Sequence, residues 1–408
     1  MSGPTPPPEG PPPQQPPPGW PPQPPAGAQP PPTHGWPAPP PGWQPQPGGQ
    51  PPPGWQQPGP PPGWQQAGPP QGWPPPPGWQ PGPARPERYA GPLEYHQLYR
   101  GGRPGWHWAG LASPFLAIAF LLLGPAIVLV PFMIGFVVAG EPVLEGIQGL
   151  VDLADPTPLG LAYLNLALAS AILFTFLAVW ALYGLAPRWL TSVRPRMRWG
   201  FFAACVGLAM VALVATVVVA MVVPTDATGA ELTGEINEFT RTTRDFALVV
   251  LLLTPLQAAG EEYLFRGYLT QAIGSLFKPS TARLLSRTVA VVVPALAFAL
   301  AHGAGQSVPI FFDRFAFGLV AGVLVIATGG LEAAIAMHVL NNWLAFGVAL
   351  AFGDMGSALN PSGGTWWSIP VTLTQSLVYL GLALWVARAM RLDRTGAPAV
   401  LAASRRRV

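Results

Sequence analysis

The sequence predicts an all-α polytopic membrane protein, with about eight transmembrane helices preceded by a disordered, proline-rich N-terminal tail. Half of the 408 residues are hydrophobic and only 10 % are charged, a balance typical of chains whose solvent is lipid. Most of the 57 prolines lie in the first hundred or so residues, and long apolar runs follow them. We therefore divide the chain into a cytoplasmic tail (1–105), a membrane domain (106–390) and a basic cytoplasmic tail (391–408).

The N-terminal tail consists largely of Pro, Gly, Gln and Trp, with Gly-Trp pairs at irregular spacing. Dense proline blocks helices and sheet ladders and favours extended polyproline II, and the scarcity of aliphatic side chains leaves no core to offset the ordering entropy. We expect the tail to be disordered. Its Trp pairs either reflect composition alone or dock onto a proline-reading or membrane-surface partner.

The membrane domain breaks into apolar runs, and a hydrocarbon layer of about 30 Å needs about 20 apolar residues for each helix. The eight predicted spans lie near residues 112–139, 159–185, 199–223, 246–273, 288–302, 314–329, 331–352 and 369–389. The fifth and sixth are short, which leaves their limits open.

Charge sets the predicted orientation in the cell membrane. Arginine is concentrated before the first span, in segments 188–198 and 283–287, and after the last span, whereas segments 141–155 and 226–238 are acidic. Short cytoplasmic loops are enriched in Lys and Arg, so both termini are expected in the cytoplasm, which requires an even number of spans. The basic residues are dispersed, so the bilayer and not nucleic acid is the expected partner.

Three ionisable residues lie inside the fourth span, where each charged group costs about 2.5 to 3.5 kcal/mol at the helix centre. Glu262 and Arg266 are four residues apart with the acid first, so they are expected to pair on one helix face. Glu261 projects about 100° away from Glu262 and lacks that partner. A desolvated carboxylate without its own cation is a stronger base than one in water, which makes Glu261 the candidate general base.

Two histidines also fall within predicted spans. His302 ends the fifth span, and His338 shares a face of the seventh span with Asn342, four residues later. A buried histidine alone is usually a satisfied core residue. Two histidines together with a carboxylate, an arginine and an amide each need a partner in hydrocarbon, so we expect one polar site between spans four, five and seven.

The three motifs, Glu-Glu-x-x-x-Arg at 261–266, Phe-x-x-x-His at 298–302 and His-x-x-x-Asn at 338–342, resemble those of the CAAX protease and bacteriocin-processing (CPBP) family of intramembrane endopeptidases. The resemblance covers roughly residues 246–350. It implies hydrolysis of a peptide or protein substrate at the membrane. It also implies that Glu261 activates water with His302, that His338 and Asn342 stabilise the oxyanion, and that Glu262 and Arg266 support the site.

The sequence leaves the role of a metal open. Glu261, His302 and His338 together could form a catalytic zinc site with one open position. The same residues can also work without a metal, and no His-Glu-x-x-His motif occurs on one helix. We favour the metal-free reaction, with no cofactor certain and zinc as the alternative.

Two further questions stay open on the sequence. A non-proteolytic membrane protein, either a proton-coupled transporter or an immunity or scaffold factor, could use the same polar pocket. In addition, helix counting from Phe246 and from Arg287 places Glu261 and His302 at different depths, so one of these spans must begin elsewhere or run tilted.

Overall fold

A computed structural model describes residues 92–396, apart from 104, 223–234, 278–282, 304 and 360–364. Most of the predicted N-terminal tail and most of the predicted basic C-terminal tail lie outside the described residues. The described part of the chain is almost entirely helical.

Eight helices in the described part are long and apolar enough to cross a membrane, which confirms the predicted number. These helices are α1 (Trp106–Ala139), α3 (Pro158–Tyr183), α4 (Trp199–Ala220), α5 (Arg241–Gly274), α6 (Arg283–Ala301), α7 (Val308–Thr328), α8 (Glu332–Phe352) and α10 (Ser368–Ala389). Two short helices, α2 (Val143–Val151) and α9 (Met355–Leu359), lie between spans. The chain is a multi-pass membrane protein.

The helix that carries the carboxylates begins earlier than hydropathy predicts, at Arg241 and not near 246. Its start is set by a capping box, because the Thr240 side chain accepts from the Thr243 amide and Thr243 bonds back to the Thr240 backbone. Helix α6 likewise begins at Arg283, before the predicted 288. In both helices a polar first turn lies outside the apolar window, so hydropathy alone does not register it.

Both ends of the described chain lie on one face of the helix bundle. Strand β1 (Leu93–Glu94) pairs antiparallel with strand β2 (Thr395–Gly396). On the same face, the Val193 amide donates to Gly329 O at 2.8 Å, and the Arg198 guanidinium pairs with Glu332. With an even number of spans, these segments are all expected on the same side of the membrane, and here they contact one another.

The segment just before the first span differs from the expected disorder up to residue 105. Residues Tyr95–Gly101 form a 3-10 helix, and Leu93, Tyr95, Leu98 and Tyr99 are each at most 1 % exposed. The Glu94 carboxylate accepts from Arg283 at 2.5 Å and from Arg287 at 2.8 Å. This stretch has the apolar side chains that the proline-rich part lacks, so it packs against the bundle, contrary to the predicted disorder up to residue 105.

Helix α5 is held tightly against α3 just before the carboxylates. A Cβ atom at Gly260 would lie 2.6 Å from the Leu168 carbonyl oxygen, so only glycine allows this approach. Directly after Glu262 the helix widens into a π-helical segment, Tyr263–Leu269. Such segments occur frequently at functional sites, and here it follows the two glutamates.

Candidate functional site

The two glutamates and the arginine of α5 are buried inside the bundle. Glu261 is 5 % exposed, Glu262 0 % and Arg266 1 %. Arg266 Nη1 donates to Glu262 Oε1 at 2.9 Å, the pairing that the four-residue spacing predicts. The guanidinium carbon also lies 4.0 Å from the centre of the Phe298 ring, a cation–π contact to α6. Arg266 therefore connects the acidic turn of α5 to α6.

His338 on α8 lies between the two carboxylates. Its Nδ1 atom is 2.9 Å from Glu262 Oε1, and its Nε2 atom is 3.7 Å from Glu261 Oε2. An ionised carboxylate can only accept, so the Nδ1 atom carries the proton of this hydrogen bond. The Nε2 atom then faces Glu261, as an acceptor when the ring is neutral and as a donor when it is an imidazolium. The sequence predicted His338 in the site but not its bond to Glu262.

The formal charges of the two carboxylates and Arg266 do not cancel, because they leave a net charge of −1. Arg314 on α7 is a further cation that interacts electrostatically with Glu261. Neutral groups are strongly favoured where the dielectric constant is low. The 3.7 Å between Glu261 Oε2 and His338 Nε2 is longer than a hydrogen bond, so the two groups face each other across a gap in which either can exchange a proton with a bound water.

Gln257, which the sequence interpretation missed, joins the two halves of the site. Its Nε2 atom donates to Glu261 Oε1 at 2.7 Å, and its Oε1 atom accepts from Asn342 Nδ2 at 3.0 Å. Gln257 thereby fixes Glu261 on α5 and Asn342 on α8 in one hydrogen-bond chain. The signal was present in the sequence, because Gln257 lies four residues before Glu261 on the same helix face.

His302 lies at the edge of this group. Its ring is exposed, its Nδ1 atom is 2.8 Å from the Phe298 carbonyl oxygen, and it packs edge-on against the Phe298 ring at 4.6 Å. Phe298 also contacts the His338 ring edge-on at 5.8 Å. Within the described residues no hydrogen bond or ion pair joins His302 to Glu261 or His338, although both act on it electrostatically. The structure brings the other predicted residues into direct or Gln257-mediated contact, and His302 only into their neighbourhood.

The residues of the alternative zinc site do not converge in this arrangement. Across the described ranges, no group of three His, Cys, Asp or Glu side chains is placed to hold a metal ion. The Nδ1 atom of His302 is directed to its own helix backbone and that of His338 to Glu262, which leaves Nε2 of each ring as the atom that a zinc ion would need. In this geometry Glu261, His302 and His338 are not gathered around a common metal position.

The site residues all fall in a segment that matches a known family. Residues 243–344 match the model of the type II CAAX prenyl endopeptidase Rce1-like family, in agreement with the predicted extent of 246–350. We call this segment the Rce1-like domain, after the family that it resembles. The domain contains Gln257, both glutamates, Arg266, both histidines and Asn342, and it comprises almost all of α5, all of α6 and α7, and the first part of α8.

One curated relative is the uncharacterized protein YyaK of Bacillus subtilis (strain 168), which is 29 % identical over 151 residues. The match covers 36 % of this chain and 50 % of the relative, so the chain spans half the length of that protein. No solved structure matches the chain. The comparisons thus show that one segment of this chain is similar to the Rce1-like family.

Proposed function

We propose that the Rce1-like domain is an intramembrane endopeptidase, which hydrolyses a peptide bond of a membrane-associated substrate with a water molecule activated by Glu261. The observation that carries the proposal is the position of Glu261 Oε2. This oxygen is buried, has no hydrogen-bond partner in the described part of the chain, and lies opposite His338 Nε2. The other carboxylate oxygen is fixed by Gln257, so the group has one oriented oxygen with which to take a proton.

The proposed reaction is a hydrolysis with Glu261 as general base. Glu261 accepts a proton from water while the water oxygen attacks the carbonyl carbon of the substrate. The developing oxyanion accepts from the Nε2–H of an imidazolium at His338 and from the N–H of Asn342 that Gln257 leaves free. Glu261 then returns its proton to the amide nitrogen as the C–N bond breaks, which regenerates the carboxylate. Glu262 orients the His338 ring through its hydrogen bond to Nδ1, and Arg266 compensates the charge of Glu262.

His302 has a different role in this proposal. His302 contacts neither Glu261 nor His338 directly. Two groups that bind the same water molecule must be separated by the width of that water, which the space between His302 and Glu261 provides in this proposal. We assign to His302 the second contact of the attacking water, at the edge of the site where substrate enters. The Phe298 ring between the two histidines keeps their side chains apart.

The proposed setting is the cell membrane, with both termini in the cytoplasm. The shared face of the two described ends supports an even number of spans, and the arginine distribution supports the direction. The substrate is a peptide or protein that reaches the bilayer, and the proline-rich segment is a proposed docking region for a further partner.

The test compares Glu261→Gln with the wild-type chain in membranes of the producing cell. We expect the variant to insert and fold normally, and its uncleaved substrates to accumulate in the membrane proteome, which identifies them directly. The matched control is Glu145→Gln, which alters an exposed glutamate of α2. Wild-type processing by Glu261→Gln, at equal protein level, would refute the proposed reaction.

A further inference from the structure

A second site lies at the end of the bundle where α4 begins and α10 ends. A pocket of about 580 Å³ opens there, within the range of about 300 to 1,000 Å³ that is usual for ligand sites. Its charged and aromatic lining residues are Arg194, Arg196, Arg198, Trp199, Phe201, Arg391 and Asp393. We propose that this pocket binds the phosphate group of an anionic phospholipid.

The pocket has more positive charge than its own acids neutralise. Arg198 is satisfied, because it donates to both carboxylate oxygens of Glu332 at 2.7 and 2.6 Å. Arg194 pairs with Asp393 at 2.5 Å. Arg196 and Arg391 are exposed and have no ion pair within the described residues. Two guanidinium groups are therefore free to bind a phosphate, for which their planar donors are well suited.

The backbone at Arg391 is in a conformation that costs energy. Its φ of 51° is in the left-handed region and is the only positive φ at a non-glycine residue in the described part of the chain. The turn is held by bonds from the Arg391 amide to Arg388 O at 3.0 Å and from the Leu392 amide to Ala387 O at 3.1 Å. This turn ends α10 and leads the chain past the start of α4, so that Arg391 and Asp393 both line the pocket. The two bonds form a Schellman motif, a common helix end with a left-handed residue, so the helix end itself fixes the position of Arg391 at the pocket.

The surroundings of the pocket favour a lipid over a free anion. Helices α4 and α10 are both membrane-spanning, so the pocket lies where they leave the apolar layer. Trp199 is 69 % exposed at the start of α4, and Trp385 is 65 % exposed one turn before the end of α10. Exposed tryptophans at span ends are typical of the headgroup level of a bilayer, and arginines at that level attract anionic lipids.

The test measures lipid binding by the purified full-length chain in detergent, by native mass spectrometry with phosphatidylglycerol and phosphatidylcholine. We expect wild-type protein to prefer phosphatidylglycerol and the double variant R196Q/R391Q to bind it about 30-fold more weakly, given about 1 kcal/mol for each arginine near a charged surface. The matched control R388Q/R394Q removes two exposed arginines of the same face that do not line the pocket, and should bind as the wild type does.

Three results would overturn the proposal. They are unchanged phosphatidylglycerol binding by R196Q/R391Q, an equal loss in the control, and displacement of the lipid by inorganic phosphate at the same concentration. The last result would identify a free-anion site. Should the double variant fail to fold, R196Q alone, at an exposed side chain, is expected to weaken binding about fivefold, and no weakening would be equally decisive.

Discussion

Gln257 offers the sharpest test of the site, because it contacts both Glu261 and Asn342 and lies outside the three sequence motifs. The perturbation is Gln257→Met, which keeps the length of the side chain and removes both hydrogen bonds. Glu261 then loses the donor that orients its carboxylate, and Asn342 loses its acceptor. Both groups remain in place on their helices but are free to rotate.

The magnitude follows from the two bonds. The bond to an ionised carboxylate contributes about 1.5 to 3 kcal/mol and the amide–amide bond about 0.5 to 1.5 kcal/mol. If both orientations are needed in the transition state, the sum of about 2 to 4.5 kcal/mol corresponds to a loss in kcat/KM of roughly 30- to 2,000-fold. Most of the loss is expected in kcat, because Gln257 positions the groups that react.

The assay is cleavage of a substrate peptide by protein reconstituted in vesicles, with folding monitored by thermal unfolding. Gln375→Met is the matched control, since Gln375 is a buried glutamine that donates to Asn341 on another face of α8, at 3.4 Å. Activity of Gln257→Met within about threefold of wild type, or an equal loss in the control, would refute the reasoning.

A companion variant, Gln257→Glu, separates positioning from a structural role. The new carboxylate can still accept from Asn342, but when ionised it repels Glu261 and cannot donate to it. Once protonated it donates again. We therefore expect the activity of this variant to recover as the pH falls, relative to wild type, whereas a purely structural defect would not depend on pH in this way.

Three further predictions concern stability, pH and metal. Arg266→Met leaves the Glu262 charge buried without its cation, so we expect a loss of about 3 to 5 kcal/mol in the free energy of unfolding, partly restored in R266M/E262Q, as measured by thermal unfolding. Burial lowers the pKa of His96 to about 4 from its ordinary 6.5, so docking of residues 93–101 is fully stable above pH 6.5 and weakens as the pH falls towards 4. At pH 5 the expected loss in docking free energy is about 2 kcal/mol. It should appear as faster amide hydrogen exchange of this segment at pH 5, an effect that His96→Phe abolishes, whereas unchanged protection in the wild type would contradict the prediction. Peptidase activity should survive exhaustive chelation of protein that elemental analysis shows to be free of zinc, and its loss on chelation would restore the metal alternative.

A second titratable group, Glu94, affects the docking of the N-terminal segment in the same direction as His96. Burial alone would raise the pKa of the Glu94 carboxyl, but hydrogen bonds from Arg287 and Arg283 lower it below its ordinary value. Docking is therefore stabilised by ionised Glu94, and this contribution is lost when the pH falls through the lowered pKa. Protonation of Glu94 and of His96 is therefore expected to release the segment in acid.

The sequence by itself determined the class of protein, the number of spans and the pair formed by Glu262 and Arg266. These follow from short-range regularities: apolar runs long enough to cross a bilayer, and two side chains one helical turn apart. The same spacing rule also predicts a contact between Gln257 and Glu261, one turn later. An uncharged amide costs less in a membrane than a charge, so its presence in a span is a weaker sign of a functional site.

The tertiary structure alone decided which residues of different helices meet. No spacing in the sequence shows that His338 bonds Glu262, that Asn342 reaches Glu261 only through Gln257, or that His302 stays at the edge beside Phe298. The tertiary structure also determines that residues 92–103 are ordered, because residues of α6 and β2 pack against them. Contacts between helices depend on their tilt, rotation and depth, and these are set by packing of the whole bundle and not by any one segment.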